Sequence, residues 1–121
     1  MSAKTSLLVI AALGLNIAAA QAHPKLQASA PARDAKLSAA PKEIRLAFSE
    51  GLIASFTGLE LKNGGGKVMP TGKAMLVPGD NRKLVVPITA KLAPGAYTVA
   101  WHAVSVDTHR VTGSYGFKVA R

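Results

Sequence analysis

The chain carries three histidines, His23, His102 and His109, and no cysteine, so its candidate metal chemistry rests on nitrogen and oxygen donors. His23 follows Ala20-Gln21-Ala22, which fits the small-x-small pattern of a signal cleavage site. A cut after Ala22 makes histidine the first residue. Its freed α-amine has a pKa near ~8, well below that of lysine. The amine nitrogen and ring Nδ1 of that one residue can close a six-membered chelate on a metal ion. Pro24 has no N–H, so no amide at the second position can lose a proton and compete. The common amino-terminal motif that needs that amide, with a histidine third, is thereby excluded. Taken by itself, His23 is also what chance would leave after a cleavage site.

A second group lies near the other end, in Ser105-Val106-Asp107-Thr108-His109. On an extended segment, residues two apart face the same side. Asp107 and His109 would then offer a carboxylate oxygen and an imidazole nitrogen together. With the amine and ring of His23 they make an N3O donor set, which suits tetragonal Cu(II), the strongest binder in the divalent series. Zinc could use the same atoms but prefers a tetrahedral arrangement. The plainer alternative is an aspartate hydrogen-bonded to a histidine at a surface turn. His102 alternates with Trp101 and reads as a surface or partly buried strand residue, or as one that orients a ligand by hydrogen bond. Met69 and Met75 are divided by Pro70-Thr71-Gly72, with no histidine or cysteine nearby. They make a poor Cu(I) site and read as ordinary core or loop methionines.

These residues need a scaffold and a compartment. Lys4 followed by the apolar Leu7–Leu15 reads as a secretory signal, and the apolar stretch is short of the ~20 residues a spanning helix needs. The expectation is a cleaved signal over residues 1–22, export, and a single domain over residues 23–121 that is not embedded in a membrane. Without cysteines, stability must come from packing. Fifteen Lys and Arg stand against six Asp and Glu, for a formal net charge of +9. The basic residues are scattered, and few aromatics accompany them. This argues for a solvated basic surface and against nucleic acid as a partner.

Period-two alternation recurs at Ile44/Leu46/Phe48, Leu59/Leu61, Leu84/Val86/Ile88, Tyr97/Val99/Trp101 and Tyr115/Phe117/Val119, each the mark of a half-buried strand. Turn formers separate the runs: Asn63-Gly64-Gly65-Gly66, Pro78-Gly79-Asp80-Asn81 and Pro94-Gly95. Pro87 lacks a donor, which places its strand at an edge or makes it locally irregular. No segment beyond the signal has a convincing helical period, and there is no internal repeat. The expected fold is all-β, an antiparallel Greek-key β-sandwich; a small closed barrel is the alternative.

Several stretches resemble one family, the copper-resistance protein C (CopC) family of periplasmic copper-binding proteins. They are His23-Pro24, the run LQASAPARDAKLSAAPKEIRLAFSEGL over residues 26–52, LAPGAYTVAW over 92–101, and VSVDTHRVTGSYGFKV over 104–119. The resemblance implies a β-sandwich, cupredoxin-like or immunoglobulin-like, that binds Cu(II) through the amine and ring of His23 with Asp107 and His109. Glu50, in the FSE motif, matches a carboxylate near the site, as a neighbour or alternative ligand; otherwise it is a charge at a strand end. Some members carry a methionine-rich Cu(I) loop. This chain does not, which implies a Cu(II)-only member.

The implied role is a copper carrier or buffer in copper homeostasis and resistance, without catalysis. Its implied partner is a CopD-type inner-membrane copper transporter or a periplasmic multicopper oxidase. A different use of a first-residue histidine is the copper brace of an oxidase or monooxygenase. That requires an open coordination position and a broad substrate face, hard to build from six aromatic residues. A metal-free adhesion sandwich is the third reading.

Overall fold

The computed structural model describes residues 23–121; the expected signal, residues 1–22, lies outside the described residues. Nine strands run in order: β1 (Leu26–Ala30), β2 (Lys36–Leu37), β3 (Glu43–Phe48), β4 (Gly58–Asn63), β5 (Val68–Met69), β6 (Met75–Val77), β7 (Asp80–Pro87), β8 (Gly95–Val104) and β9 (Arg110–Val119). They form a four-stranded sheet, β1-β3-β7-β6, and a five-stranded sheet, β2-β9-β8-β4-β5. All pairings are antiparallel except the short β2–β9 pair. The chain visits the second sheet briefly at β2, then changes sheet between β3 and β4, β5 and β6, and β7 and β8, as Greek-key connections do. The fold is the all-β sandwich that the alternation implied. Among the described residues the helical structure is a single 3-10 turn, Ala54–Phe56, and no helix is long and apolar enough to cross a membrane.

The alternating residues meet between the sheets. Ile44, Leu46, Phe48, Leu84 and Val86 come from one layer, and Leu61, Tyr97, Val99, Trp101, Phe117 and Val119 from the other, all buried. Full burial of side chains of this size contributes about 1.5–3 kcal/mol each. Phe48 and Trp101 meet edge to face across the layers, with ring centroids 5.2 Å apart. Gly113, opposite Trp101 in the β8–β9 ladder, has no side chain for a steric reason. A Cβ there would lie 2.3 Å from the indole Cζ2.

The turn formers behave as expected. Gly66 and Gly79 have φ of 85° and 81°, and Asn63 Oδ1 accepts the N–H groups of Gly65 and Lys67 at 2.9 Å. Pro87 does not mark an edge strand: β7 lies inside its sheet, between β3 and β6. Pro87 is the last residue of β7, beyond the end of β6 pairing at Met75↔Val85. Past β6 that side carries an isolated bridge, Thr71↔Ile88, in which Pro87 O accepts the Gly72 N–H at 2.8 Å, so the missing donor interrupts no continuous ladder.

Candidate metal centre

His23 is held in place by its two successors in the chain. The Pro24 side chain is fully buried. Lys25 then closes onto the end of β3: its N–H donates to Ser49 Oγ, and its carbonyl accepts from Ser49 N–H, both at 2.9 Å. The exposed His23 thus sits at a fixed entry to β1. Pro24 matters as an anchor as well as by lacking an N–H, and nothing in the sequence pattern marked it as core.

Asp107 and His109 come together in a way the extended-segment argument did not anticipate. Ser105–His109 joins β8 to β9, and Thr108 adopts φ of 69°, so the segment is a turn. Ser105 N–H donates to His109 O at 2.9 Å, and Thr108 N–H to Ser105 O at 2.8 Å. The Ser105 side chain, fully buried, sits at the hub. Its hydroxyl donates to Asp107 Oδ1, and its oxygen accepts His109 N–H at 3.2 Å. Val106 N–H donates to Gly51 O at 2.9 Å, tying the turn to the loop after β3. The sequence places Ser105 two residues before the aspartate. Its burial, which makes it the hub, is visible only in the fold.

Asp107 Oδ1 lies 3.1 Å from His109 Nδ1. The Ser105 hydroxyl, and after it His109, hold the Asp107 carboxyl below the usual carboxylate range. It is therefore an anion at neutral pH, ready to balance a cation. The His109 ring also meets His23, with centroids 4.7 Å apart and planes at 75°. Two imidazoles at adjacent positions around one ion, with bonds of about 2 Å, have centroids roughly 4–5 Å apart, so this spacing fits. His109 Nδ1 is buried, and its approach to Asp107 Oδ1 lacks the angle of a formed hydrogen bond, leaving polar capacity that an ion could take up. Even so, no three His, Asp or Glu side chains are gathered tightly enough to make a complete metal cluster among the described residues. The further nitrogen in the expected set is the His23 α-nitrogen, which in this uncleaved chain is part of a peptide bond.

The other candidates stand apart. His102 is exposed on the outer face of the five-stranded sheet, between Gly58 and Thr112. Glu50 is half-buried in the loop that Val106 grips, and it forms no ion pair among the described residues. Met69, on β5, packs against the core, whereas Met75, on β6, is 52% exposed. The two methionines lie on outer strands of opposite sheets.

Residues 26–120 match the family model described as the CopC domain. The chain is 40% identical over 122 residues to copper resistance protein C of Pseudomonas syringae pv. tomato, covering 96% of each chain. Among solved structures, CopC from Methylosinus trichosporium OB3b superposes with a TM-score of 0.76 at 28% identity. That match covers 81% of this chain and 94% of the other. PcoC, a methionine-rich copper resistance protein from Escherichia coli, gives 0.72 at 37% identity, covering 81% and 99%.

Proposed function

Since the chain belongs to the CopC family, a copper-resistance family, we propose that it is an exported Cu(II)-binding protein of the periplasm, a carrier or buffer for copper rather than a catalyst. On this reading residues 1–22 are the cleaved signal and residues 23–121 the single working domain. Copper is cargo. Cleavage after Ala22 frees the α-amine of His23, which joins its own ring, the His109 ring and the Asp107 carboxylate around the ion. The observation that carries the reading is the meeting of His23 and His109 at 4.7 Å, with Asp107 3.1 Å from His109. Nitrogen and carboxylate donors of this kind favour Cu(II) over Cu(I). The recipient or source is a CopD-type inner-membrane transporter or a periplasmic multicopper oxidase.

The mechanism is coordination under proton control. The imidazoles bind as neutral ligands and the amine binds without its proton, so affinity falls on acidification and copper uptake releases protons. The test starts with mass spectrometry of the exported protein, expected to begin at His23. Cu(II) titration with electron paramagnetic resonance comes next. Asp107→Ala, His109→Ala and a one-residue extension before His23 are each expected to weaken binding by roughly tenfold or more, about 1.4 kcal/mol or above. Unchanged affinity in all three would overturn the assignment.

A further inference from the structure

The metal pair stands at the head of a groove with its own chemistry. β1 begins three residues after His23 and β9 one residue after His109, and the two strands flank an open channel. Gln27, Ser29, Arg33, Trp101, Ser114 and Tyr115 line it. β1 is the outer strand of its sheet. β9 is ten residues long, yet β2 covers only Lys118 and Val119.

The hydrogen bonds beside β2 show which peptide groups face outward. Gly116 O accepts from Asp34 N–H at 2.7 Å, and Lys118 N–H donates to Ala35 O at 2.9 Å. Even-numbered residues of β9 thus turn their peptide groups to this edge. In a regular ladder the same alternation directs the N–H and C=O of Thr112 and Ser114 to this edge, Ser114 within the groove, where β9 has no strand partner among the described residues.

Natural sheets protect such edges with proline, bulges or charge. Val111 to Tyr115 has none of these: it reads Val-Thr-Gly-Ser-Tyr. The floor also holds an unmet polar group. Tyr115 is 4% exposed, and its hydroxyl is buried beside Ser29 without the geometry of a formed hydrogen bond. Buried polar atoms left this way are rare enough to require an explanation. Beside it, the Trp101 indole fills the space that Gly113 leaves open. The lining includes one cation, Arg33, and no carboxylate.

We propose that this groove is a docking track for an extended, acidic segment of a partner protein, added as a strand to the free edge of β9. Main-chain bonds to Thr112 and Ser114 supply register, as in other strand additions. The Tyr115 ring must shift on docking for its buried hydroxyl to donate to a carbonyl of the incoming segment, and the exposed Arg33 selects for acidic side chains. At about 3.3 Å per residue, Ser114 lies roughly 17 Å along the chain from His109. On the copper-carrier reading, on which this identification of the partner rests, the docked protein is one that loads or unloads the ion at the mouth of the track.

The test uses the metal-free exported protein, so it does not depend on copper binding. Capped hexapeptides of alternating glutamate and valine, or lysine and valine, are titrated while backbone and indole N–H resonances are followed by NMR. The acidic peptide is expected to shift Thr112, Gly113, Ser114 and the Trp101 indole, and the basic peptide to leave them unmoved. Ser114→Pro removes an edge donor and is expected to weaken acidic-peptide binding about tenfold. Arg33→Glu is expected to reverse the peptide preference, and Cu(II) titration of both variants reports that the metal pair is intact. Shifts mapping elsewhere, equal response to both peptides, no response at millimolar peptide, or self-association through β9 in sedimentation would each overturn the proposal.

Discussion

Ser105 is the residue on which the site's preorganisation turns. Its hydroxyl gives its proton to the bond with Asp107 and its lone pair to the His109 N–H, so a single buried oxygen sets both candidate ligands. Asp107 has its pKa lowered mainly by this bond. An anion stabilised in the folded state contributes stability above its unfolded pKa, and that contribution is lost as pH falls through the folded value. Ser105→Ala is expected to return the Asp107 pKa upward, read from its side-chain carbon shift in an NMR titration, and to move the acid limb of Cu(II) binding to higher pH. Tyr115 shows the opposite case. Burial raises its pKa, so the phenol is expected to ionise later than free tyrosine in an ultraviolet titration. Because its hydroxyl lies beside Ser29 without the geometry of a formed hydrogen bond, Tyr115→Phe is expected to leave the thermal midpoint unchanged or raised, whereas losing a well-formed hydroxyl bond costs about 1 kcal/mol.

At the level of strands, the pairing of β8 with β9 both builds the core and carries the site turn between its ends. Within that pair Gly113 lies over Trp101 with no room for a Cβ. Gly113→Ala is expected to cost about 1–3 kcal/mol by overpacking, read as a lower urea midpoint with altered Trp101 fluorescence. The strands legible from sequence were those with strict alternation of large side chains: β3, β4, β7, β8 and β9. β1 escaped that pattern because Ala28, Ser29 and Ala30 are too small to sign a face, and β2, β5 and β6 are two or three residues long. The expectation that Asp107 and His109 sit together rests on the side-chain spacing of an extended chain. The actual cause is a turn with Thr108 at positive φ, and residue spacing alone does not distinguish the two. The contact of His23 with His109 depends on how the two sheets stack, which no local pattern encodes. Of the two Pro87 alternatives, the edge strand is ruled out and the local irregularity remains: past β6 the pairing on that side shrinks to an isolated bridge, where a missing donor is harmless.

Across the whole molecule, ligand binding and folding are linked. An ion that binds only the folded form stabilises it by RT ln(1 + [L]/Kd), about 2.7 kcal/mol at a hundredfold excess over Kd. On the proposed function, Cu(II) is expected to raise the melting temperature at neutral pH, and a chelator to reverse the gain. The location of the site adds a consequence. His23 leads into the outer strand of one layer, whereas His109 belongs to the hairpin of the other. A cation gripped by both would be a clasp between the halves of the sandwich, reversible and proton-sensitive, in a chain with no cysteine for a covalent one. Amide hydrogen exchange in Leu26–Ala30 would then slow on loading, and the same strand would loosen whenever the cargo departs.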